Sequence, residues 1–145
     1  MDCDVTILFT IYKNLIYKLA ELKAITPGIL KFSTSEIVDK VSKHIKVDYK
    51  KDLQSVLSPI LNEICIREFK IEESNDVIVV TIYRDSCPFV YPQIELEEEY
   101  CVVPFIIVEM LRKNGKRNAY LLHQENSKFI NCKENACVFK IMVKE

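Results

Sequence analysis

The chain has 145 residues, of which 49% are hydrophobic, so a domain of ordinary size can bury a core without metal or disulfide support. Its formal net charge is −1, which excludes a uniformly basic nucleic-acid binder and requires any such role to come from a local patch. The first residues are acidic and lysines interrupt the apolar runs. We therefore expect no secretory signal, no membrane span and a cytoplasmic protein.

The first predicted element is a helix from Val5 to Ala24, where apolar residues recur with a helical period. The sequence TPG at Thr26–Gly28 ends it, because the residue before a proline disfavours helix. The following residues, ILKF, predict a short strand. The apolar stripe of the helix contains Leu8, Ile11, Tyr12, Leu15, Ile16, Leu19 and Leu22.

Two amphipathic helices are predicted next. Ser33 and Glu36 have the spacing of a capping box, which predicts that the second helix begins there. Asp48 is the predicted N-cap of the third helix, whose apolar residues continue at helical spacing to Ile64. Pro59 lies inside this pattern, and it either kinks the helix or begins a second short one.

The remaining chain predicts a β-hairpin over Arg67–Arg84, a helix between Pro104 and Gly115, and a second hairpin at the end with its turn in KENA. An asparagine–glycine hairpin turn is the alternative to the Pro104 helix. Prolines and an acidic cluster separate the two halves. We expect three parts: 1–84, a linker at 85–100, and a C-terminal extension at 101–145 that serves packing or dimerisation.

This order of elements resembles the winged helix-turn-helix superfamily. STSEIVDKVSKHI is similar to its second helix, DYKKDLQSVLSPILNEI to its recognition helix, and REFKIEESNDVIVVTIYR to its hairpin and wing. The resemblance implies an α+β fold with an N-terminal winged helix. It also implies a small DNA-binding protein, a transcriptional regulator whose third helix, starting near Asp48, contacts double-stranded DNA.

Two basic clusters supply the predicted DNA contacts. Asp39–Lys51 contains five Lys and two Asp, and Arg112–Arg117, reading RKNGKR, contains four positive charges. Lysine suits phosphate or guanine, glutamine suits adenine, and serine donates or accepts. A solvated surface is the alternative for both clusters. The predicted contacts are Lys43, Tyr49, Lys50, Lys51, Gln54, Ser55, Arg112, Lys113, Lys116 and Arg117.

A second function stays open, a protein-docking winged helix in a replication, transcription or other assembly. The predicted wing tip, EESND, is acidic, and residues 1–84 hold twelve basic and twelve acidic side chains. The apolar sequence CVVPFIIV in the C-terminal half must also be buried. It packs on the core or forms the interface of a homodimer or with a protein partner.

The cysteines and histidines indicate no catalytic or metal site. No Cys-x-x-Cys pair occurs among the six cysteines, and neither histidine lies in a hydrolase or metalloprotease motif. We therefore predict no enzyme, no cofactor and no metal ligand. Buried thiols, a Cys132–Cys137 disulfide and a metal site stay open as alternatives. His44 is expected on a helix surface and His123 at the edge of the core.

Overall fold

The computed structural model describes residues 6–84, 87, 101–122, 130–133 and 135–143. Helices and antiparallel strands alternate in blocks, so the class is mixed α+β, as the sequence predicted. The helices are α1 (Thr6–Glu21), α2 (Pro27–Ile45), α3 (Leu53–Glu63) and α4 (Val103–Lys113). The strands are β1 (Phe69–Ser74), β2 (Val77–Tyr83), β3 (Tyr120–Leu121), β4 (Ile130–Lys133) and β5 (Ala136–Met142).

Helix α4 lies at the centre of the core. Every residue from Val103 to Val108 is buried, as are Met110 and Leu111, and a helix that is apolar on all sides needs neighbours on all sides. It packs against α2, α3 and β3. The sequence CVVPFIIV therefore belongs to the core of one chain. The prediction that this segment forms a homodimer or partner interface is wrong, because its side chains are already covered.

The sheet joins the two halves of the chain. Strand β2 pairs with β1 on one side and with β5 along its whole length on the other, from Val77↔Met142 to Tyr83↔Ala136. Strands β4 and β3 pair with the far edge of β5, one after the other. Along β2 and β5 buried residues alternate with more exposed ones, which is the pattern of a sheet with one covered face. The segment from 101 onward thus shares a sheet with 69–83.

Helix α2 begins earlier than the sequence predicted. The Thr26 side chain accepts a hydrogen bond from the Ile29 N–H at 3.2 Å, and Pro27 supplies a φ angle suited to the first turn. The strand predicted for ILKF is therefore wrong, because these residues form the first turns of α2. Ser33 and Glu36 lie inside the helix, where Glu36 pairs with Lys40 at 2.9 Å instead of closing a capping box.

Helix α3 continues through Pro59 as one helix from Leu53 to Glu63. Its buried face is formed by Leu53, Val56, Leu57, Ile60 and Leu61. Pro59 has no N–H to donate to the Ser55 carbonyl one turn earlier. The neighbouring Ser58 hydroxyl donates to the Gln54 carbonyl at 2.5 Å. Burial of the apolar face on α2 and α4 keeps the helix together at this point.

The ends of α4 and the turn of the final hairpin lie where the sequence predicted them. Proline lies in the first turn of α4, Asn114 is its C-cap, and Gly115 follows with a φ of 101°. The final hairpin pairs Lys133 with Ala136, so its turn lies inside KENA. Cys132 and Cys137 face each other across this hairpin and form a disulfide. Of the predicted linker at 85–100, only residue 87 lies within the described part of the chain.

We expect Ile107→Ala in α4 to lower the free energy of unfolding by about 2 to 5 kcal/mol, because it leaves a cavity at a fully buried site. Ile37→Ala in α2 is the matched control, since the same atoms are removed from a side chain that is 49% exposed. Urea unfolding followed by circular dichroism measures both. Equal losses for the two variants would contradict the central position of α4.

Candidate nucleic-acid interface

The turn between α2 and α3 contains three of the predicted DNA contacts, Tyr49, Lys50 and Lys51, although not in the helix predicted for them. Lys46 ends α2 in the left-handed conformation, and the Asp48 carboxylate accepts the Lys50 N–H at 3.1 Å. Asp48 therefore forms a turn, and Asp52 caps α3 instead, accepting from the Ser55 N–H and hydroxyl at 3.2 and 2.7 Å. The prediction that the helix starts near Asp48 is wrong by several residues.

Because α3 begins later than predicted, five predicted DNA contacts fall at different positions relative to the helix. Tyr49, Lys50 and Lys51 lie in the turn before α3, while Gln54 and Ser55 lie on its first turn. Lys50, Lys51, Gln54 and Ser55 are exposed. The Ser55 hydroxyl already donates to Asp52, so of these two polar side chains Gln54 is the more accessible to a ligand.

Asn114 joins the two basic clusters that the sequence presented separately. Its side-chain NH₂ donates to the backbone carbonyls of Tyr49 and Lys51, at 2.5 and 3.1 Å, across 65 and 63 residues of sequence. Its side-chain carbonyl accepts from the Lys116 ammonium at 2.8 Å. The turn before α3 and the turn after α4 are therefore held against each other by one amide.

A second contact reinforces this junction. Lys113 at the end of α4 forms an ion pair with Asp39 on α2. The hydrogen bond from Lys113 is the first cause of a lowered Asp39 pKa, and the nearby charge of Lys43 lowers that pKa further. Asp39 thus interacts with both Lys113 and Lys43, and its single negative charge leaves a net positive charge on the three residues.

The resulting feature, here called the basic surface, is defined by the positively charged residues of these two turns and of the adjoining end of α2. Its members are Lys43, Lys46, Lys50, Lys51, Lys113, Lys116 and Arg117. Six of the seven come from the predicted list of contacts, which did not include Asn114 or Lys46. Asp39, Asp48 and Asp52 are the acidic residues within the same segments, so the basic surface keeps an excess of positive charge on a chain with a net charge of −1.

Two predicted contacts serve the structure instead. Arg112 donates to the Ala119 carbonyl from two guanidinium nitrogens, at 3.1 and 2.9 Å, and to Glu109 at 2.7 Å, which closes the turn after α4. Tyr49 is half-buried, and its hydroxyl is hydrogen-bonded to Ser42. Both side chains hold the two turns in place and have little capacity left for a ligand.

Asn114 was not found by sequence reasoning. The only local signal was its position before Gly115 at the end of a helix, which indicates a turn and says nothing of its partners. The two segments that it joins are far apart in the chain, and no composition or spacing rule connects them.

The acidic β1–β2 turn lies at the same end of the sheet as the strand that follows the basic surface. Val77, directly after that turn, and Tyr120, shortly after Arg117, flank Met142 on its two sides. Neighbouring strands are about 4.8 Å apart, so two spacings separate the rows. Glu73 and Asp76 therefore lie at the end of the sheet where β3 begins, about 10 Å or more from that strand.

The described cysteines do not form a metal site. Cys132 and Cys137 are paired with each other, Cys65 is also disulfide-bonded, and Cys87 and Cys101 are thiols that take part in no disulfide. Burial, and after it the nearby Cys87, raise the pKa of the Cys101 thiol to about 12, so this thiol stays protonated and poorly nucleophilic at neutral pH. No group of three or more His, Cys, Asp or Glu side chains within the described ranges is arranged to hold a metal ion.

Comparison with known proteins supplies no relative: no protein-family model, no curated protein and no solved structure matches this chain. Among the helices of the described ranges, none has the length and apolar character needed to cross a bilayer. His44 is exposed on α2, as expected, and His123 lies outside the described residues.

We expect Asn114→Ala to lower the free energy of unfolding by about 1 to 2 kcal/mol, because two backbone carbonyls lose their donor. Amide hydrogen exchange in residues 46–52 should become faster. Asn62→Ala, an exposed asparagine on α3, is the control and should leave both quantities nearly unchanged. Unaltered exchange in Asn114→Ala would show that the turn does not need this amide.

The Asp52 cap predicts a pH dependence. Hydrogen bonds from the Ser55 hydroxyl and N–H lower the Asp52 pKa below its ordinary 3.8. As pH falls below about 3.8, the unfolded state binds the proton first, so this stabilisation is present above that pH and is lost below it. We expect the stability difference between wild type and Asp52→Asn to shrink in acid urea titrations. A constant difference from pH 6 to pH 2.5 would contradict the ionised cap.

Proposed function

We propose that this protein binds double-stranded DNA through the basic surface, with the turn before α3 and the turn after α4 both contacting phosphates. One observation carries the proposal: Asn114 brings two basic clusters, more than sixty residues apart in sequence, into one continuous face. Phosphate contacts supply most of the affinity of DNA binding, and lysines on two adjoining turns can contact neighbouring phosphates.

The position of α3 supports this function. Lys50 and Lys51 precede its first turn, and Gln54 is exposed on that turn. Helix N-termini attract phosphate, and side chains of the first turn reach base edges when a recognition helix enters the major groove. We propose that Gln54 supplies base readout and that the flanking lysines set the position on the backbone. A role as a transcriptional regulator with a winged-helix architecture is part of the same proposal.

A docking role in a protein assembly is the second candidate. The observation that favours it is the acidic β1–β2 turn, where a DNA-binding wing would carry lysine or arginine. In that case the basic surface would meet an acidic protein. A nucleic acid and an acidic protein differ in the salt dependence and length dependence of their binding, so the same experiment separates the two functions.

The test is binding of the full chain to a labelled generic duplex across a salt series. Lys50→Ala/Lys51→Ala should weaken binding and reduce the slope of log affinity against log salt by about 2, since about one phosphate contact is lost with each lysine. Lys116→Ala/Arg117→Ala should give a similar loss, because the two turns form one face. The similarity of the two losses is the specific expectation.

Lys70→Ala/Lys140→Ala is the matched control. It removes the same charge from two exposed lysines of the sheet and should leave the slope unchanged. If all three double variants lose affinity equally, binding depends on overall charge and the basic surface is not the site. Absence of binding to any duplex at low salt would favour the docking role.

A further inference from the structure

From residue 11 onward, where its side chains are described, helix α1 is apolar on two faces, and only one of these faces is covered. The covered face contains Ile16, which is 6% exposed, and half-buried Tyr12. The opposite face contains Ile11 and Leu15, which are 59% and 55% exposed, and Leu22 continues it at 75%. Leucine and isoleucine occupy positions where a helix on a monomer surface normally carries polar residues.

The spacing of this outer face indicates a helical partner. Ile11, Leu15, Lys18 and Leu22 follow one another at intervals of four, three and four residues, which is the a/d spacing of a coiled-coil seam. Lys18 is the one polar member. Its ammonium lies 3.3 Å from Glu21 on the same helix, so the charge is held at the side of the seam.

Two further exposed apolar side chains follow at the start of α2. Ile29 is 55% exposed and Phe32 is 82% exposed, and both follow Leu22 after a short connection. An exposed phenylalanine contributes on the order of 200 Å², so these five side chains together offer roughly 600 to 700 Å². An interface that used the exposed apolar side chains of both helices would approach the ~800 Å² that each partner buries at standard size.

We propose that a second copy of this chain covers this face and that the two α1 helices pack antiparallel about a two-fold axis. Lys18 decides the direction. In a parallel pair Lys18 would face Lys18 of the second copy, and like charges would repel within the seam. In an antiparallel pair a positions meet d positions, so Leu22 packs on Ile11 of the other copy. Leu15 then meets the methylene groups of Lys18, whose ammonium stays beside Glu21.

This dimer is independent of the proposed DNA binding, because none of its residues belongs to the basic surface. It also differs in place from the dimer expected from sequence, which used the C-terminal half. An isologous interface repeats every contact twice, so the Leu22–Ile11 and Leu15–Lys18 contacts together supply four layers.

The first experiment is sedimentation equilibrium of the full chain over about 1 to 100 µM, the range in which an interface of this size should saturate. Wild type should reach the mass of a dimer. Ile11→Glu/Leu15→Glu should raise the dissociation constant at least about 100-fold, because two carboxylates per copy would be buried in an apolar seam. Circular dichroism confirms that the variant is folded.

Asn14→Glu/Ile37→Glu is the matched control, since it places two carboxylates per copy at exposed positions outside the seam and should leave the dimer intact. A wild type that is monomeric throughout would overturn the proposal. So would a dimer that Ile11→Glu/Leu15→Glu leaves unchanged, since another face would then carry it.

The second experiment fixes the direction. In the antiparallel dimer an Ile11→Cys chain mixed with a Leu22→Cys chain should form an intermolecular disulfide under mild oxidation, while either chain alone should not. Disulfide formation within each single variant, and not in the mixture, would overturn the antiparallel arrangement. DNA binding of Ile11→Glu/Leu15→Glu is measured in parallel, so failure of the dimer and failure of the proposed function give different results.

Discussion

The burial of α4 is the constraint on which the rest of the structure depends. Eight of its residues are buried, and this is possible only because α2, α3 and the sheet surround it. The same packing fixes where α4 ends, and therefore where Asn114 reaches across to the turn before α3. Apolar burial thus positions a polar junction, and that junction positions the charges. The electrostatic character of the surface follows from the core.

The distribution of charge shows why net charge is a poor guide to this chain. Opposite charges balance over the sequence, yet the fold gathers lysines from two distant segments while the acidic residues among them are engaged in local roles. Asp52 caps a helix, Asp48 closes a turn, and Asp39 pairs with Lys113. These carboxylates stabilise the backbone that presents the lysines.

The large apolar side chains that stay exposed are not where hydropathy alone would place them. The apolar segment CVVPFIIV, which by hydropathy alone was the first candidate for an interface, is buried in the core. The exposed large side chains gather instead on α1 and the start of α2, beside a face of α1 that buries a lysine, Lys13. Burial lowers the pKa of Lys13. Packing covers one edge of a broad apolar stripe and leaves the side chains of the other edge exposed.

Local chemistry made much of the fold predictable. The helical period of α3, the proline and glycine that bound α4, and the two hairpin turns all depend on residues a few positions apart, so the sequence by itself determined them. Competing local signals were harder: Thr26 and Ser33 both resemble caps, as do Asp48 and Asp52, and only the finished hydrogen bonds selected Thr26 and Asp52. The union of the two basic clusters and the exposed edge of α1 were decided by tertiary structure alone. Both depend on which distant surfaces meet when α4 is buried, and no period or motif within the sequence encodes that meeting.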